Sequence, residues 1–289
     1  MAKIAFLGLG VMGFPMAGHL AAKGHDVTVY NRSAEKAKLW IGQHKGRAAP
    51  TPADAARGQD FVMSCVGNDD DVRSVVYGKD GAFAGMAKGA VLVDHTTASA
   101  DLARELEREA EKLGLGAVDA PVSGGQTGAQ NAALTVMCGG KGDVFERAKP
   151  VMACYGKAVT LMGDAGAGQL TKMVNQICIA GLVQALGEGL AFGKRAGLDC
   201  EKVIEVISKG AAQSWQMENR GKTMIADKFE FGFAVNWMRK DLGICLDEAK
   251  RNGARLPVTA LVDQFYAHIQ ERGGGRWDTS SLYHLLKNK

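Results

Sequence analysis

Several residue patterns that define common function classes are missing from this chain of 289 residues. Its six cysteines are scattered without a C-x-x-C pair, and its six histidines form neither an H-E-x-x-H motif nor a close pair. We therefore expect no disulfide and no metal site, with the cysteines serving as small buried apolar residues. The net charge of +4 is not concentrated in a Lys/Arg cluster, which argues against a nucleic-acid partner.

Long apolar runs are scarce as well. The most apolar helical segment, residues 177–192, is interrupted by Gln184 and Glu188, so we expect no membrane span. The first strand is expected at residue 4, which leaves no room for a signal peptide and makes the cytoplasm the expected location.

Strand and helix patterns alternate in the first half of the sequence and are followed by helical patterns alone. The 46% hydrophobic and 23% charged residues are typical of a globular protein. Strands are predicted at residues 4–7, 27–30, 61–66, 91–94, 117–118 and 134–138, with a helix at 99–113. Later helices are predicted at 169–195, 199–209, 213–226, 234–252, 257–272 and 279–287. The pattern predicts a Rossmann-type, mostly parallel α/β domain at residues 1–163 and an all-helical domain at 164–289, joined through a long helix.

A glycine-rich loop connects the first predicted strand to the first predicted helix. It has the spacing G-x-G-x-x-G and consists of Gly8, Leu9, Gly10, Val11, Met12 and Gly13. In dinucleotide sites such glycines allow a tight turn, close approach of the backbone to a pyrophosphate and close helix–strand packing. Because a strand precedes the loop and a helix with a second strand follows it, we predict that it binds the cofactor.

The end of the second predicted strand indicates which cofactor is preferred. NAD sites usually have Asp or Glu there to bind the ribose 2′-hydroxyl. This chain has Asn31, Arg32 and Ser33 instead, with Lys36 one helical turn further on. An arginine fork suits a 2′-phosphate, so we expect NADP(H), with NAD(H) as the alternative cofactor. The competing interpretation is that Arg32 and Lys36 are solvated surface charges.

Ligands of such sheets bind beyond the carboxyl ends of the strands. We expect Val66, the last residue of one predicted strand, and Thr96, which follows the next, to contact the cofactor there. Ser123, Gly124 and Gly125 follow the next strand, and a hydroxyl with successive backbone N–H groups can hold a carboxylate. The alternative for this last segment is an ordinary loop.

Lys172 is the candidate catalytic residue. Helical spacing puts it on one face with Gly168, Asn175 and Gln176, and Gly168 suggests close approach to the cofactor domain. Hydride transfer to a carbonyl leaves an alkoxide, to which an ammonium offers both charge and a proton. The alternative is a lysine whose charged end is in water, and spacing alone leaves both interpretations open.

Further candidates lie in the helical half. Lys240 could reach the cofactor, and Asp241 could pair with it or with a neighbouring helix; the alternative is an exposed ion pair. Trp215 and Phe233 are candidates for the walls of a substrate pocket, although such aromatic residues often belong to the core.

In order and spacing, these segments resemble those of the β-hydroxyacid dehydrogenases. The resemblance covers nearly the whole chain and includes the glycine-rich loop and residues 94–97, 119–125, 166–176, 240–242 and 256–257. It implies that Lys172 is the catalytic lysine, supported by the amide of Asn175 or Gln176. It also implies that the Ser123 segment binds the substrate carboxylate and that Thr96 and Lys240 contact the cofactor. Asn31-Arg32-Ser33 resembles the NADPH-preferring reductases of the family.

The resemblance implies interconversion of a small carboxylate-bearing aldehyde or ketone, such as a semialdehyde or glyoxylate, and its hydroxyacid. Three departures leave the substrate open: Ala132 stands where many members have Gly, Thr223 where Pro is frequent, and residues 230–233 where Pro-Gly-Phe is usual. The alternatives are a catalytically silent NADP-binding module and an imine reductase, in both of which this lysine is replaced. The long predicted helix and the small helical domain suggest that apolar faces are shared between subunits, which implies a homodimer or homotetramer.

Overall fold

One sheet of nine strands organises the first part of the chain. The computed structural model describes residues 1–287. The strands are β1 (Lys3–Leu7), β2 (Asp26–Tyr30), β3 (Arg47–Ala48), β4 (Phe61–Ser64), β5 (Val91–Asp94), β6 (Gly116–Asp119), β7 (Val122–Ser123), β8 (Leu134–Gly140) and β9 (Gly156–Gly163). Their order is β3-β2-β1-β4-β5-β6-β8-β7, with β9 paired to β8. In this order the strands from β3 to β6 are parallel to one another, whereas β8 pairs antiparallel with β6 and β7 and parallel with β9. The predicted Rossmann-type sheet is confirmed.

Helices cover both faces of this sheet. They are α1 (Gly13–Ala22), α2 (Ala34–Gln43), α3 (Pro52–Ala56), α4 (Asp69–Val76), α5 (Ala82–Gly85), α6 (Ala100–Lys112), α7 (Gly125–Gln130) and α8 (Gly142–Met152). Successive residues of β1 illustrate the two-sided burial, because side chains alternate across a strand. Ile4 and Phe6 belong to one apolar cluster, whereas Ala5 and Leu7 belong to another, and all four are fully buried.

The strand order reverses between β1 and β4, and doubly wound sheets bind ligands at such a point. The glycine-rich loop follows β1 directly, and Cys65 and Val66 follow β4. The predicted strand 61–66 was therefore two residues too long. Cys65 N still donates to Leu7 O in β1, whereas Val66 N donates to the Thr96 hydroxyl at 3.0 Å and not to a neighbouring strand.

Three strands were not predicted from the sequence. β3 and β7 have two residues each, too few for a periodic pattern. β9 is longer, but none of its eight residues is fully buried, and Val159 and Leu161 pack against the core of the sheet only in part, so the strand lacks a buried apolar run.

Helices alone make up the rest of the described chain. They are α9 (Ala167–Arg195), α10 (Cys200–Ile207), α11 (Trp215–Ile225), α12 (Val235–Asn252), α13 (Pro257–Glu271) and α14 (Leu282–Leu285), with 3₁₀ turns at Gly274–Arg276 and Thr279–Ser281. The predicted helix 279–287 is thus a 3₁₀ turn followed by one short α-helix. Contacts divide the chain into two compact units, Met1–Lys172 and a second that begins at Met173. The second unit has its own core, which includes Val183, Met238 and Tyr266.

Among residues 1–287, α9 is the helix long and apolar enough to cross a membrane. Its most apolar 18-residue window has a mean hydropathy of 1.3, and 44% of that window is buried within the protein. Core helices of soluble proteins meet the same criteria, so the expectation of no membrane span stays a prediction.

None of the cysteines, which all lie within residues 1–287, forms a disulfide, but they are not all buried as expected. Cys138, Cys200 and Cys245 are buried, whereas Cys65 and Cys154 are half-buried and Cys178 is exposed. Cys178 lies in α9, and the general preference of cysteine for interiors did not predict its position on an exposed face.

Ala132, one of the departures from the family pattern, has a left-handed backbone with φ +52°. This conformation places Cβ close to the following carbonyl oxygen and costs an L-residue about 1–2 kcal/mol. Glycine avoids that cost, which explains why many family members have glycine at this position.

Candidate active site

The glycines of the loop after β1 differ in what surrounds them. Gly8 has φ +97°, and a Cβ there would lie 2.3 Å from Cys65 O. A Cβ on Gly13 would lie 2.0 Å from Gly8 O, so both positions exclude side chains. Gly10 has nothing within 4 Å of its Cβ position, and no side chain caps α1 at Met12. The loop therefore has open space beside Gly10 and an uncapped helix N-terminus, an arrangement that fits a pyrophosphate.

Asn31 joins the end of β2 to this loop. Its Oδ1 accepts from Leu9 N at 2.8 Å, and its Nδ2 donates to Ser33 O at 3.0 Å. Sequence reasoning treated Asn31 only as a cofactor contact and missed this role. The amide fixes the loop beside the segment that follows β2.

The other residues predicted to bind a 2′-phosphate are at the surface. The Arg32 side chain is 88% exposed and its Nη1 lies 3.3 Å from Asp71 Oδ1. Ser33 is the N-cap residue of α2 and makes no side-chain cap hydrogen bond, while Lys36 is exposed in the first turn of that helix. The sequence did not predict the Asp71 contact, because 39 residues separate the two side chains.

Thr96 lies beside Val66 in a buried polar group at the ends of β4 and β5. Ser64 Oγ donates to Asp94 Oδ1 at 2.8 Å, and Thr96 N donates to the same oxygen at 3.1 Å. Burial raises the pKa of Asp94 to about 6, although hydrogen bonds from Thr96 and Ser64 act in the opposite direction. The group fixes the loop that carries Thr96, and Thr96 itself is 1% exposed.

His95 fixes the next loop. Its Nδ1 lies 2.7 Å from Ala120 O and its Nε2 lies 2.8 Å from the Tyr155 hydroxyl. Burial lowers the pKa of His95 to about 4, so the ring is neutral. Since a carbonyl only accepts, Nδ1 carries the proton and Tyr155 donates to Nε2. This chain of hydrogen bonds holds the backbone that leads from Ala120 to Ser123.

The Ser123 segment has the backbone that a carboxylate site needs. Ser123 ends β7, where it pairs with Thr135, and is half-buried. Gly124 and Gly125 have φ +129° and +60° and are exposed. Side chains would be strained at both positions, so the glycines are required by the turn itself. The first N–H groups of α7 follow, and they have no acceptor within the helix.

The first turn of α9 is held against the end of β6. Both carboxylate oxygens of Asp119 accept from this turn: Oδ1 from Gly166 N at 2.8 Å and Oδ2 from Gln169 N at 2.9 Å. A Cβ on Gly168 would lie 2.4 Å from Met137 O, so the predicted close approach at Gly168 is confirmed. Sequence reasoning gave no role to Asp119 or Gln169, whose partners are distant in the chain.

Lys172 follows one turn later and is only 7% exposed. The interpretation of Lys172 as a lysine with its charged end in water is therefore wrong, because the helix presents this position to the interior. Asn175 and Gln176 come next in the same helix, the first half-buried and the second 2% exposed.

Both polar atoms of the Gln176 side chain form hydrogen bonds within the second unit. Its Nε2 donates to Asp241 Oδ2 at 2.6 Å, and its Oε1 accepts from Asn175 Nδ2 at 2.7 Å. Asp241 also lies 3.0 Å from Lys240 Nζ, and the side chains are 2% and 20% exposed. The expectation of an exposed ion pair is thus wrong. Lys240 and Asp241 form a largely buried pair that extends to α9 through Gln176.

Trp215 and Phe233 occupy different environments. Trp215 is 50% exposed, so the alternative that it belongs to the core is wrong, whereas Phe233 is half-buried at the edge of the helical core. Arg220 contacts both Trp215 and Asp278. Its guanidinium lies 4.9 Å from the Trp215 ring centre, and its Nε lies 3.0 Å from Asp278 Oδ1. Asp278 Oδ2 accepts from Phe233 N at 2.9 Å.

Residues 230–233 stand where Pro-Gly-Phe is usual in the family, and the structure explains why this segment contains a glycine. Gly232 has φ +72°, and a Cβ there would lie 2.0 Å from Asp278 Oδ2. Only glycine allows the loop to pass the buried carboxylate.

No group of three or more His, Cys, Asp or Glu side chains within residues 1–287 could hold a metal ion.

Comparisons with known proteins give family matches for both parts of the chain. A family model described as the NAD binding domain of 6-phosphogluconate dehydrogenase matches residues 3–163. A second, described as NAD-binding of NADP-dependent 3-hydroxyisobutyrate dehydrogenase, matches residues 166–286. Together they cover most of the chain and define an NAD(P)-dependent oxidoreductase.

Individual relatives show to which family of NAD(P)-dependent oxidoreductases the chain belongs. An uncharacterized oxidoreductase of Shewanella frigidimarina is 66% identical over 287 residues, which are 99% of each chain. The 2-hydroxy-3-oxopropionate reductase of Escherichia coli is 35% identical over 99% of this chain and 97% of its own. The structure of Mycobacterium tuberculosis 3-hydroxyisobutyrate dehydrogenase with L-serine matches with a TM-score of 0.91 and 29% identity, over 100% of both chains. The chain belongs to the β-hydroxyacid dehydrogenase family, whose members carry out NAD(P)-dependent oxidoreduction of hydroxyacids and semialdehydes.

Proposed function

We propose that the protein reduces a small carboxylate-bearing aldehyde or ketone with NADPH and that Lys172 supplies the proton. The observation that carries this proposal is the burial of Lys172 one turn after a tightly held helix start. Bound NADPH would supply the hydride. A buried ammonium stabilises the alkoxide that forms and protonates it, because charge interactions are stronger where water is excluded.

We propose the following roles for the remaining site residues. Ser123, Gly124 and Gly125 hold the substrate carboxylate with a hydroxyl and backbone N–H groups. Asn175 is proposed as the amide that supports the lysine, and Gln176, hydrogen-bonded to both Asn175 and Asp241, is proposed to hold Asn175 in place. Val66, Thr96 and Lys240 are proposed to contact the cofactor, and Trp215 and Phe233 to line the substrate pocket.

The substrate class is proposed to be short semialdehydes or glyoxylate. Its support is the Ser123 segment and the 2-hydroxy-3-oxopropionate reductase among the relatives. A screen of tartronate, succinic and methylmalonate semialdehydes and glyoxylate, followed by loss of absorbance at about 340 nm, tests this assignment. Activity confined to aldehydes without a carboxylate would contradict it.

We predict that NADPH has a higher kcat/KM than NADH. Arg32→Ala should raise the KM for NADPH more than that for NADH, because the guanidinium would face the 2′-phosphate. Asp71→Asn should act in the opposite direction and lower the KM for NADPH, because the carboxylate 3.3 Å from Arg32 repels a phosphate and competes for the arginine.

Steady-state kinetics with both cofactors measure these changes. Lys38→Ala is a matched control, since Lys38 is an exposed cation of α2 paired with Glu35. A wild-type protein that prefers NADH tenfold would contradict the cofactor assignment.

We also propose a homodimer or homotetramer assembled through α9. Six exposed positions of this helix, all apolar or small, lie within a narrow arc at helical spacing; they are Val174, Cys178, Leu182, Ala185, Gly189 and Phe192. Val174, Leu182 and Phe192 are 61%, 45% and 73% exposed, and Val258 and Leu261 of α13 add further exposed apolar surface. A continuous apolar stripe of this kind is typical of a protein interface.

Light scattering should give at least twice the 30.5 kDa of the chain. Leu182→Glu combined with Phe192→Asp should shift the mass towards the monomer, whereas Lys194→Glu, an exposed position on the opposite side of α9, should not. A wild-type monomer at micromolar concentration would contradict the proposal.

A further inference from the structure

The start of α9 is attached to the sheet through two buried polar side chains. Asp119 is 5% exposed and caps this start with both carboxylate oxygens. Burial raises the pKa of Asp119, while the backbone N–H groups of Gly166 and Gln169 act in the opposite direction. A charge-assisted cap of this kind is stronger than one between neutral groups.

Gln169 connects the same turn to the loop after β5. Its side chain is 1% exposed, its Nε2 donates to Thr96 O at 2.7 Å, and its Oε1 accepts from Ala98 N at 3.1 Å. The amide thus pairs with backbone on both sides of Thr97. Because Thr96 in turn accepts from Val66 N, one side chain links the helix start to both loops proposed to contact the cofactor.

Two glycines allow the backbone to pack closely against the Asp119 carboxylate. A Cβ on Gly168 would lie 2.7 Å from Asp119 Oδ2, and a Cβ on Gly139 would lie 2.4 Å from Asp119 Oδ1. The carboxylate is therefore enclosed by backbone on both sides, and the helix start has one position relative to the sheet.

We propose that Asp119 and Gln169 are positioning residues that fix Lys172 relative to the cofactor loops. This inference rests on the proposed function. Lys172 follows Gln169 by three residues, less than one turn of a rigid helix, so a displacement of the helix start displaces its side chain equally. A misplacement of about 1 Å can lower a reaction rate by 10²-fold.

Gly168→Ala tests the position without removing a polar group. The added methyl group must push the helix away from Met137 O and Asp119, so we expect kcat to fall about 10- to 100-fold. The dissociation constant for NADPH, measured by fluorescence, should stay within about twofold because the proposed phosphate contacts lie elsewhere. Gly42→Ala is the matched control, since Gly42 also lies inside a helix, α2, with nothing within 4 Å of its Cβ position, and it should keep wild-type kcat.

Gln169→Glu provides a signature that a merely structural role would not produce. A protonated glutamic acid keeps both hydrogen bonds, with its O–H donating to Thr96 O and its C=O accepting from Ala98 N. Ionisation removes the donor and adds charge beside Asp119. The ratio of variant to wild-type kcat should therefore fall as pH rises, while Gln169→Leu should be poor at every pH.

Asp119→Asn should also lower kcat, because its NH₂ group would face a backbone N–H. If that variant fails to fold, the other two still decide the question. Wild-type kcat in Gly168→Ala, or a Gln169→Glu ratio that is independent of pH, would overturn the inference. Lys172→Ala, assayed in parallel, separates the two claims: its activity tests the proposed function, and the other variants test only how the lysine is positioned.

Discussion

Lys172→Ala is expected to lower kcat at least about 10²-fold, the usual scale for positioned acid–base catalysis. The variant loses both the charge that stabilises the alkoxide and the proton that neutralises it. NADPH affinity should change little, because the glycine-rich loop and Arg32 provide the proposed contacts to its phosphates. Steady-state assays and a binding titration measure the two effects separately.

Two further measurements sharpen this prediction. Lys172→Arg should also be poor, since a guanidinium keeps its proton throughout the working pH range. Reduction needs the ammonium and hydroxyacid oxidation needs the neutral amine, so reduction should slow and oxidation should improve as pH rises. Lys194→Ala, at an exposed lysine of the same helix, is the control and should keep wild-type activity.

Ser123→Ala is expected to lower kcat/KM by about 1–3 kcal/mol, the range for a hydrogen bond to a charged group. The loss should be confined to substrates with a carboxylate, because the hydroxyl acts on that end of the molecule. Wild-type protein should accordingly reduce succinic semialdehyde far better than propanal, which lacks the carboxylate.

The control for Ser123 is Thr160→Ala, which removes an exposed hydroxyl from β9. Equal wild-type activity on propanal and succinic semialdehyde would remove the Ser123 segment from carboxylate binding. It would leave the role of Lys172 to be judged on its own variants.

The sequence predicted best those features that depend on neighbours in the chain. The glycine-rich loop is an example: Gly13 packs against Gly8 O within the same turn, so the spacing of the glycines contains much of the information, although Gly8 itself packs against the distant Cys65. The long helix is another, because the helical pattern of residues 169–195 predicts nearly all of its 29 residues without help from the rest of the fold.

Contacts between distant segments could not be predicted in this way. Asp119 lies 47 and 50 residues from the backbone amides that it caps, and nothing in its local sequence distinguishes it from a surface carboxylate. Arg32 and Asp71 meet because they follow β2 and β4, the two strands that flank β1 in the sheet. The burial of Lys172 is also a tertiary property, since both interpretations of that lysine have the same helical spacing.

The most direct test of the central claim is a single-turnover experiment with the enzyme–NADPH complex. Wild type and Lys172→Ala are mixed with succinic semialdehyde, and the decay at about 340 nm is followed with NADPH and with 4-deuterated NADPH, so that product release does not mask the chemical step. The account predicts that the variant binds NADPH normally and transfers hydride at least about 10²-fold more slowly. A hydride-transfer rate within fivefold of wild type, with an isotope effect showing that this step is observed, would contradict it and assign the proton transfer to another group.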